Sequence, residues 1–302
     1  MNTAVQNTAM TFQQFTEEIR AGVQGRFPEA DILITPAEKN NGLTLTGLTV
    51  REEGRRVTPT IYLNEAYDSY KKGAALAELI AEVADTYREN RLEQEPEIPD
   101  FTDFQKIKDI VCCRLVNRER NRERLEKMPH RDFLDLAAIY YIPIETGQDC
   151  SASLTMMDAH TAKWQVDAGT LFSLACANTE RLFPASVRSM EKILQDLCPG
   201  SPSLHETGMH VLRNNGSGGA AAMLNEGILQ WFAGKYGDFY IFPSSVHEVI
   251  LHPVKLPGLA LEKEGLLDMV REINREQVPP DEVLSDNVYL YHADTGEIEI
   301  LS

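Results

Sequence analysis

Four residues around one turn, Ser244, Ser245, His247 and Glu248, carry the side chains of a hydrolase: two hydroxyls, an imidazole and a carboxylate. Their spacing does not suit a nucleophile elbow, which sets glycine on both sides of a serine at a strand-to-helix turn. Pro243 instead opens a strand-to-strand turn, where serines are expected to cap the backbone. His247 and His252 are five residues apart on one predicted strand, so they point to opposite faces and cannot share a metal. Asp158 and His160, close to Trp164, could do acid–base work at a helix entrance, although Asp158 serves equally as a cap. Asn214–Gly219, NNGSGG, lies between a predicted strand and helix, where free N–H groups and the helix dipole favour an anion. A phosphate loop would continue with Lys-Ser or Lys-Thr, whereas this chain continues Ala220-Ala221-Ala222. Asn178 and Arg181, ahead of Phe183-Pro184, could bind a carboxylate or simply close a helix. These positions yield no catalytic set, and we expect no cofactor and no metal.

The five cysteines, Cys112, Cys113, Cys150, Cys176 and Cys198, contain no Cys-x-x-Cys ligand pair. A vicinal pair such as Cys112-Cys113 rarely forms a disulfide, so buried reduced thiols are expected. Arg114–Arg131, RLVNRERNRERLEKMPHR, holds seven Arg or Lys against three Glu in a chain of formal charge -17. If helical, it would pair Arg122 with Glu126 and Glu123 with Lys127, leaving a self-neutralised face that includes Arg118, Arg122 and Arg124. The acidic balance elsewhere repels phosphate and argues against general nucleic-acid binding.

The elements that would position these residues follow from apolar spacing. Phe12, Phe15, Ile19 and Val23 predict a helix over 11–24 with Thr11 as its cap. Strands are expected around Ile32–Ile34, Leu43–Val50 and Thr58–Leu63, then a short helix from Asn64 and a stronger one carrying Leu76, Leu79, Ile80, Val83 and Tyr87. EQEPEIPDFTD, 93–103, combines acids with prolines and reads as a linker. Residues 1–10 read as a disordered leader, 11–92 as a small α+β domain and 104–302 as a larger one.

In that larger domain, Ile107–Val116 reads as a strand before the Arg-rich helix. Phe133–Ile144 and Ser151–Met157 read as a hairpin across Glu145–Gln148, and Val166–Asn178 and Ser189–Leu197 as helices. Ala221, Leu224, Ile228, Trp231 and Phe232 predict one helical face, followed by strands at Phe239–Phe242 and Glu248–Val254. Leu266, Met269, Val270 and Ile273 predict the inward face of a last helix, before a hairpin of Val288–His292 and Glu297–Leu301. Without regular βαβ alternation the class is α+β: two packed domains of short, mostly antiparallel strands with flanking amphipathic helices.

No apolar run reaches the roughly twenty residues of a membrane span. The start of the chain has neither the basic residues nor the apolar middle of a signal peptide, so a cytoplasmic, non-membrane protein is expected. Residues 116–144, ANTERLFPASVRSME at 177–191 and GDFYIFPSSVHEVILHP at 237–253 resemble a bacterial family of uncharacterised proteins, the domain of unknown function 5688. The resemblance runs from Thr11 onward. A fainter likeness, carried by Leu224-Asn225-Glu226 before a strand–Pro-turn–strand segment, reaches the domain of unknown function 1444. Both imply a fold and a cytoplasmic location without catalytic residues. The functional expectation is a non-catalytic binding or protein-interaction module, meeting a protein partner through strand edges or the Arg-rich segment. The alternative is a hydrolase-like enzyme using Asp158, His160, His247 and Glu248.

Overall fold

The computed structural model describes residues 10–145, 151–199, 207–216, 218–256 and 262–301. The leader up to Ala9, the turn at 146–148, Cys150, Gly200 and Ser217 lie outside the described residues. The chain forms two compact units, one of residues 10–39 and 43–97, the other of 40–42, 98–144 and 151–301.

The first unit follows its apolar spacing closely. Helix α1 (Phe12–Arg26) starts at Thr11, whose hydroxyl accepts from the Gln14 N–H at 3.3 Å while the Gln14 side chain accepts from the Thr11 N–H at 2.9 Å. This reciprocal box satisfies two N–H groups that a helix start otherwise leaves without partners. Strands β1 (Asp31–Glu38), β2 (Thr44–Arg51) and β3 (Thr60–Tyr62) form an antiparallel sheet in that order. Helices α2 (Asn64–Lys71) and α3 (Leu76–Asn90) complete the unit. Phe15, Ile19 and Val23 of α1 meet Leu79, Val83 and Tyr87 of α3 and Ile32, Leu48 and Val50 of the sheet in one core. Full burial of each of the larger aliphatic and aromatic groups contributes about 1.5–3 kcal/mol. A Cβ on Gly22 would lie 2.5 Å from Ile80 Cδ1, so α1 and α3 pack closely at that glycine.

In the second unit, the expected strand from Ile107 begins late. Asp103 caps a short helix α4 (Phe104–Ile107) by accepting from the Gln105 N–H at 3.0 Å, and only Cys112–Asn117 extends as β4. A single-turn helix α5 (Arg122–Leu125) replaces the long Arg-rich helix, and His130–Phe133 forms β5. Strand β6 (Leu136–Glu145) lies between β4 and β5, and β7 (Ser151–Thr155) also pairs with β6. Helices α6 (Asp158–Thr161) and α7 (Ala168–Leu182) follow. The Asp167 side chain accepts from the Thr170 N–H at 2.9 Å and starts α7.

The larger sheet takes β8 (Ser186–Ser189), β9 (His210–Arg213), β10 (Phe239–Phe242), β11 (Val249–Pro253), β12 (Val288–Tyr291) and β13 (Ile298–Leu301). Its order is β13-β12-β10-β11-β9-β8, every ladder antiparallel. Helix α8 (Met190–Leu197) follows β8 directly, with Ser189 as its cap. The apolar face predicted from Ala221 to Phe232 is split in two. Gly219–Leu224 forms a 3₁₀ turn, and Asn225 accepts from the Ile228 N–H at 3.1 Å to begin a separate helix, α9 (Glu226–Tyr236). The break turns Trp231 outward, 58% exposed, while Phe232 is fully buried.

Helix α10 (Lys263–Glu276) also departs from its predicted face: Leu266, Leu267, Val270 and Asn274 are buried and Ile273 is exposed. A polar anchor sets that rotation, because Asn274 Nδ2 donates to Ser285 O at 2.8 Å and Asp286 Oδ1 at 2.9 Å. The main core joins Leu115, Leu136 and Ala138 to Phe232, Phe239, Ile241 and Leu251. Across the described residues the class is α+β with mostly antiparallel sheets.

Candidate functional site

The hydrolase-type residues fall into two separate sets. Asp158 is the first residue of α6, and His160 Nδ1 accepts from the Met157 N–H at 3.2 Å while its ring meets Phe101 edge-on at 5.1 Å. His247 Nε2 lies 3.3 Å from Glu282 and Glu248 lies 3.9 Å from Arg213, with these side chains well exposed. Among the described residues no hydrogen bond or ion pair joins Asp158 or His160 to His247 or Glu248. Ser245 Oγ accepts from the His247 N–H at 3.1 Å, the turn-capping role expected of a serine there. His252 is 1% exposed inside the sheet, and burial lowers its pKa toward the neutral ring.

The basic segment is neutralised otherwise than expected. Neither of the expected pairs, Arg122 with Glu126 or Glu123 with Lys127, forms an ion pair among the described residues. Arg118 instead reaches Asp132 at 3.0 Å on β5, and Arg120 reaches Asp286 at 2.5 Å. A polar cluster that sequence spacing does not reveal surrounds Asp135. Its carboxylate accepts from Ser285 Oγ at 2.6 Å, from Asn287 Nδ2 at 2.9 Å and from the Tyr289 hydroxyl. This ties the β5–β6 turn to the segment entering β12, and burial together with the Asp135 carboxylate pushes the Tyr289 pKa up.

Glycines 216, 218 and 219 are explained by close packing. A Cβ on Gly219 would stand 2.2 Å from His247 O and 2.7 Å from Asn214 O, and one on Gly216 would strike the Phe183 ring at 2.9 Å. Gly218 takes a positive φ of 102° directly against the Arg114 side chain. Several N–H groups in and after the loop are already occupied: that of Gly216 donates to Asn214 Oδ1 at 2.9 Å, that of Ala220 to Val246 O and that of Ala221 to Gly218 O, the last two at 3.1 Å. The loop is therefore a packed joint.

Beside that joint lies a cavity of about 250 Å³. Cys113, Cys176, Thr179, Glu180, Asn214 and Asn225 supply its polar groups, and Phe183, Ala185 and Leu224 its apolar wall. Helix α7 is clamped to the chain entering β4. Asn178 Nδ2 donates to Lys108 O at 2.8 Å and Val111 O at 2.9 Å, and Arg181 donates to Asp109 O. Thr179 Oγ1 accepts from the Cys113 N–H at 2.9 Å and donates to Ala175 O at 2.7 Å. Asn178 and Arg181 thus hold backbone carbonyls.

The clamp brings Cys113 Sγ and Cys176 Sγ to 3.7 Å, with Thr179 Oγ1 3.6 Å from the Cys113 sulfur. Sequence spacing holds no signal for this meeting, since the two thiols are 63 residues apart. Cys113 is buried as expected, but Cys176, packed at the edge of the same core cluster, is only partly buried, and Cys198, which ends α8, is exposed. The hydrogen bond shared by the Cys113 and Cys176 thiols holds Cys176 below the usual thiol range; burial opposes this, and the nearby Arg131 guanidinium assists it. The same hydrogen bond, together with burial, pushes Cys113 well up. Burial alone largely accounts for Cys112, pushed up to about 11.

The chain matches the model of a family of unknown function, DUF5688, over residues 12–293. The match gives no support to the second, fainter resemblance. No curated protein and no solved structure matches significantly. Among the described residues no helix is long and apolar enough to cross a membrane.

Proposed function

The chain belongs to the DUF5688 family of unknown function, and from the geometry of its second unit we propose a non-catalytic binding module that takes a small molecule in the cavity beside α7. The observation that carries this reading is the cavity's lining. Amide, thiol and carboxylate residues of α7, the Asn214 loop and Asn225 line the cavity together with an apolar wall of Phe183, Ala185 and Leu224. Small-molecule sites combine an apolar surface with a few placed polar groups in this way. Its volume of about 250 Å³ suits a compact metabolite. Glu180, the charged residue in that lining, favours a neutral or cationic ligand with hydrogen-bond donors. The hydrolase alternative needs Asp158 and His160 to act with His247 and Glu248, and they stand on separate turns.

A thermal-shift screen of a metabolite library against the wild type and Ala177→Leu tests the reading. Ala177 is exposed at the cavity wall, so leucine narrows the cavity without entering the core. A ligand that raises the melting temperature of the wild type and not of the equally stable variant is expected. Hits that stabilise both proteins equally, or no hit at all, would overturn it.

A further inference from the structure

Two thiols from distant parts of the chain face each other across 3.7 Å on the wall of an open cavity. One is 2% exposed and the other is partly open to solvent. We propose that Cys113 and Cys176 form a dithiol switch oxidised by a hydroperoxide entering the cavity, with Cys176 attacking and Cys113 completing the disulfide.

The roles follow from access and protonation. Cys176 lines the cavity from α7 and is reachable, and the hydrogen bond it shares with Cys113 favours its thiolate, the form that attacks peroxides. Arg131, 4.7 Å over the Phe172 ring, adds positive potential near that sulfur. Cys113 is covered by the core on β4 and keeps its proton. Cys112, adjacent in sequence, donates to Ile110 O at 3.4 Å and is fully buried, so it does not compete.

In the first step the Cys176 thiolate attacks a peroxide oxygen. An S–O bond forms as the O–O bond breaks, the sulfur gives up two electrons, and the departing oxygen leaves as water or an alcohol after taking a proton. Cys176 is then a sulfenic acid. In the second step Cys113 sulfur attacks Cys176 sulfur. An S–S bond forms, the S–O bond breaks, and the hydroxide leaves as water with the Cys113 proton. Two thiols and one hydroperoxide thus give one disulfide, one water and one further water or alcohol. The sulfurs must close from 3.7 Å to about 2.05 Å. A shift of that order lies within side-chain rotation plus a small movement of α7 against β4, which would reshape the cavity between them.

The test treats the reduced full-length protein with stoichiometric hydrogen peroxide, blocks free thiols with iodoacetamide and maps linked peptides by mass spectrometry. A Cys113–Cys176 cross-link is expected, reversed by dithiothreitol. Cys176→Ser should lower the rate of thiol loss by roughly tenfold or more. Cys113→Ala should leave Cys176 as a sulfenic acid that dimedone captures, and should slow alkylation of Cys176 at neutral pH because the hydrogen bond favouring its thiolate is gone. Dimedone on Cys113 in Cys176→Ser at the wild-type rate would overturn the assignment. So would the absence of the linked peptide in the wild type, a measurement that needs no variant to fold.

Discussion

Replacing Gly219 with alanine should destabilise the second unit by roughly 3–5 kcal/mol. The new Cβ would meet His247 O at 2.2 Å and Asn214 O at 2.7 Å. Both distances fall about 1 Å short of ordinary contact. Each obstacle is backbone, so neither can swing aside as a side-chain tip would. Relief requires the segment after β9 to move away from the turn before β11. That movement strains the bonds from the Asn214 N–H to Gly219 O and from the Ala220 N–H to Val246 O, each 3.1 Å long. Overpacking at about 1–3 kcal/mol plus two hydrogen bonds at about 1 kcal/mol each gives the quoted range. Urea unfolding measures it cleanly, because both tryptophans, Trp164 and Trp231, lie in the second unit. With a slope of about 2–3 kcal/mol per molar, the fluorescence midpoint should fall by roughly 1–2.5 M. A midpoint within about 0.3 M of the wild type would refute the packing account. Inorganic phosphate that protects the wild type and not the variant would point back to an anion-binding loop.

Gly234→Ala should act in the opposite sense. The position lies inside α9, and no heavy atom stands within 4 Å of the place its new Cβ would take. The substitution should raise stability by about 0.5–1 kcal/mol in the same unfolding assay, and a lower midpoint would count against it. Glu191 supplies a pH dependence. Its partial burial would raise its pKa, but the carboxylate accepts from the Thr207 N–H and Oγ1 at 2.6 Å each, and these bonds bring it down to about 2. A pKa depressed on folding stabilises fully above the unfolded value of about 4.3 and is lost as pH falls toward 2. The stability difference between wild type and Glu191→Gln should therefore be constant above about pH 5 and shrink below it. A difference that grows on acidification would refute the assignment.

The first unit is legible in the sequence because its elements are set by local information. Thr11 and Gln14 mark a helix start within four residues, and Phe15, Ile19 and Val23 repeat at the helical period. The second unit departs where one polar side chain outweighs an apolar pattern. Asn225 divides a predicted helix by capping its second half, and Asn274 rotates α10 by reaching Ser285 and Asp286. Charge spacing alone makes the Arg-rich segment a helix, but Val116 and the residues before it belong to a ladder with β6, a partner beyond any local window. The side chains of Asp167 and Ser189 each accept a backbone N–H at a helix start, and the helices starting near them are readable. The meeting of Cys113 with Cys176 is not, since it depends on how α7 lies across β4.

That crossing also explains why the residues that look most like ligand-binding groups are frame rather than site. Asn178, Thr179 and Arg181 direct their hydrogen bonds to backbone groups of Lys108, Asp109, Val111 and Cys113, and so fix α7 against the start of β4. Cys176 stands three residues before Thr179, one helical turn back along nearly the same face. Any clamp that seats Thr179 on the Cys113 N–H must therefore bring the Cys176 sulfur toward the Cys113 side chain. The 3.7 Å approach of the thiols is a geometric consequence of the Thr179 bond, and the cavity at α7 opens where the small side chains of Ala177, Ala221 and Ala222 leave the space beside that clamp unfilled. Polar residues that sequence spacing offers as chemistry do the positioning, and the reactive pair is what they position.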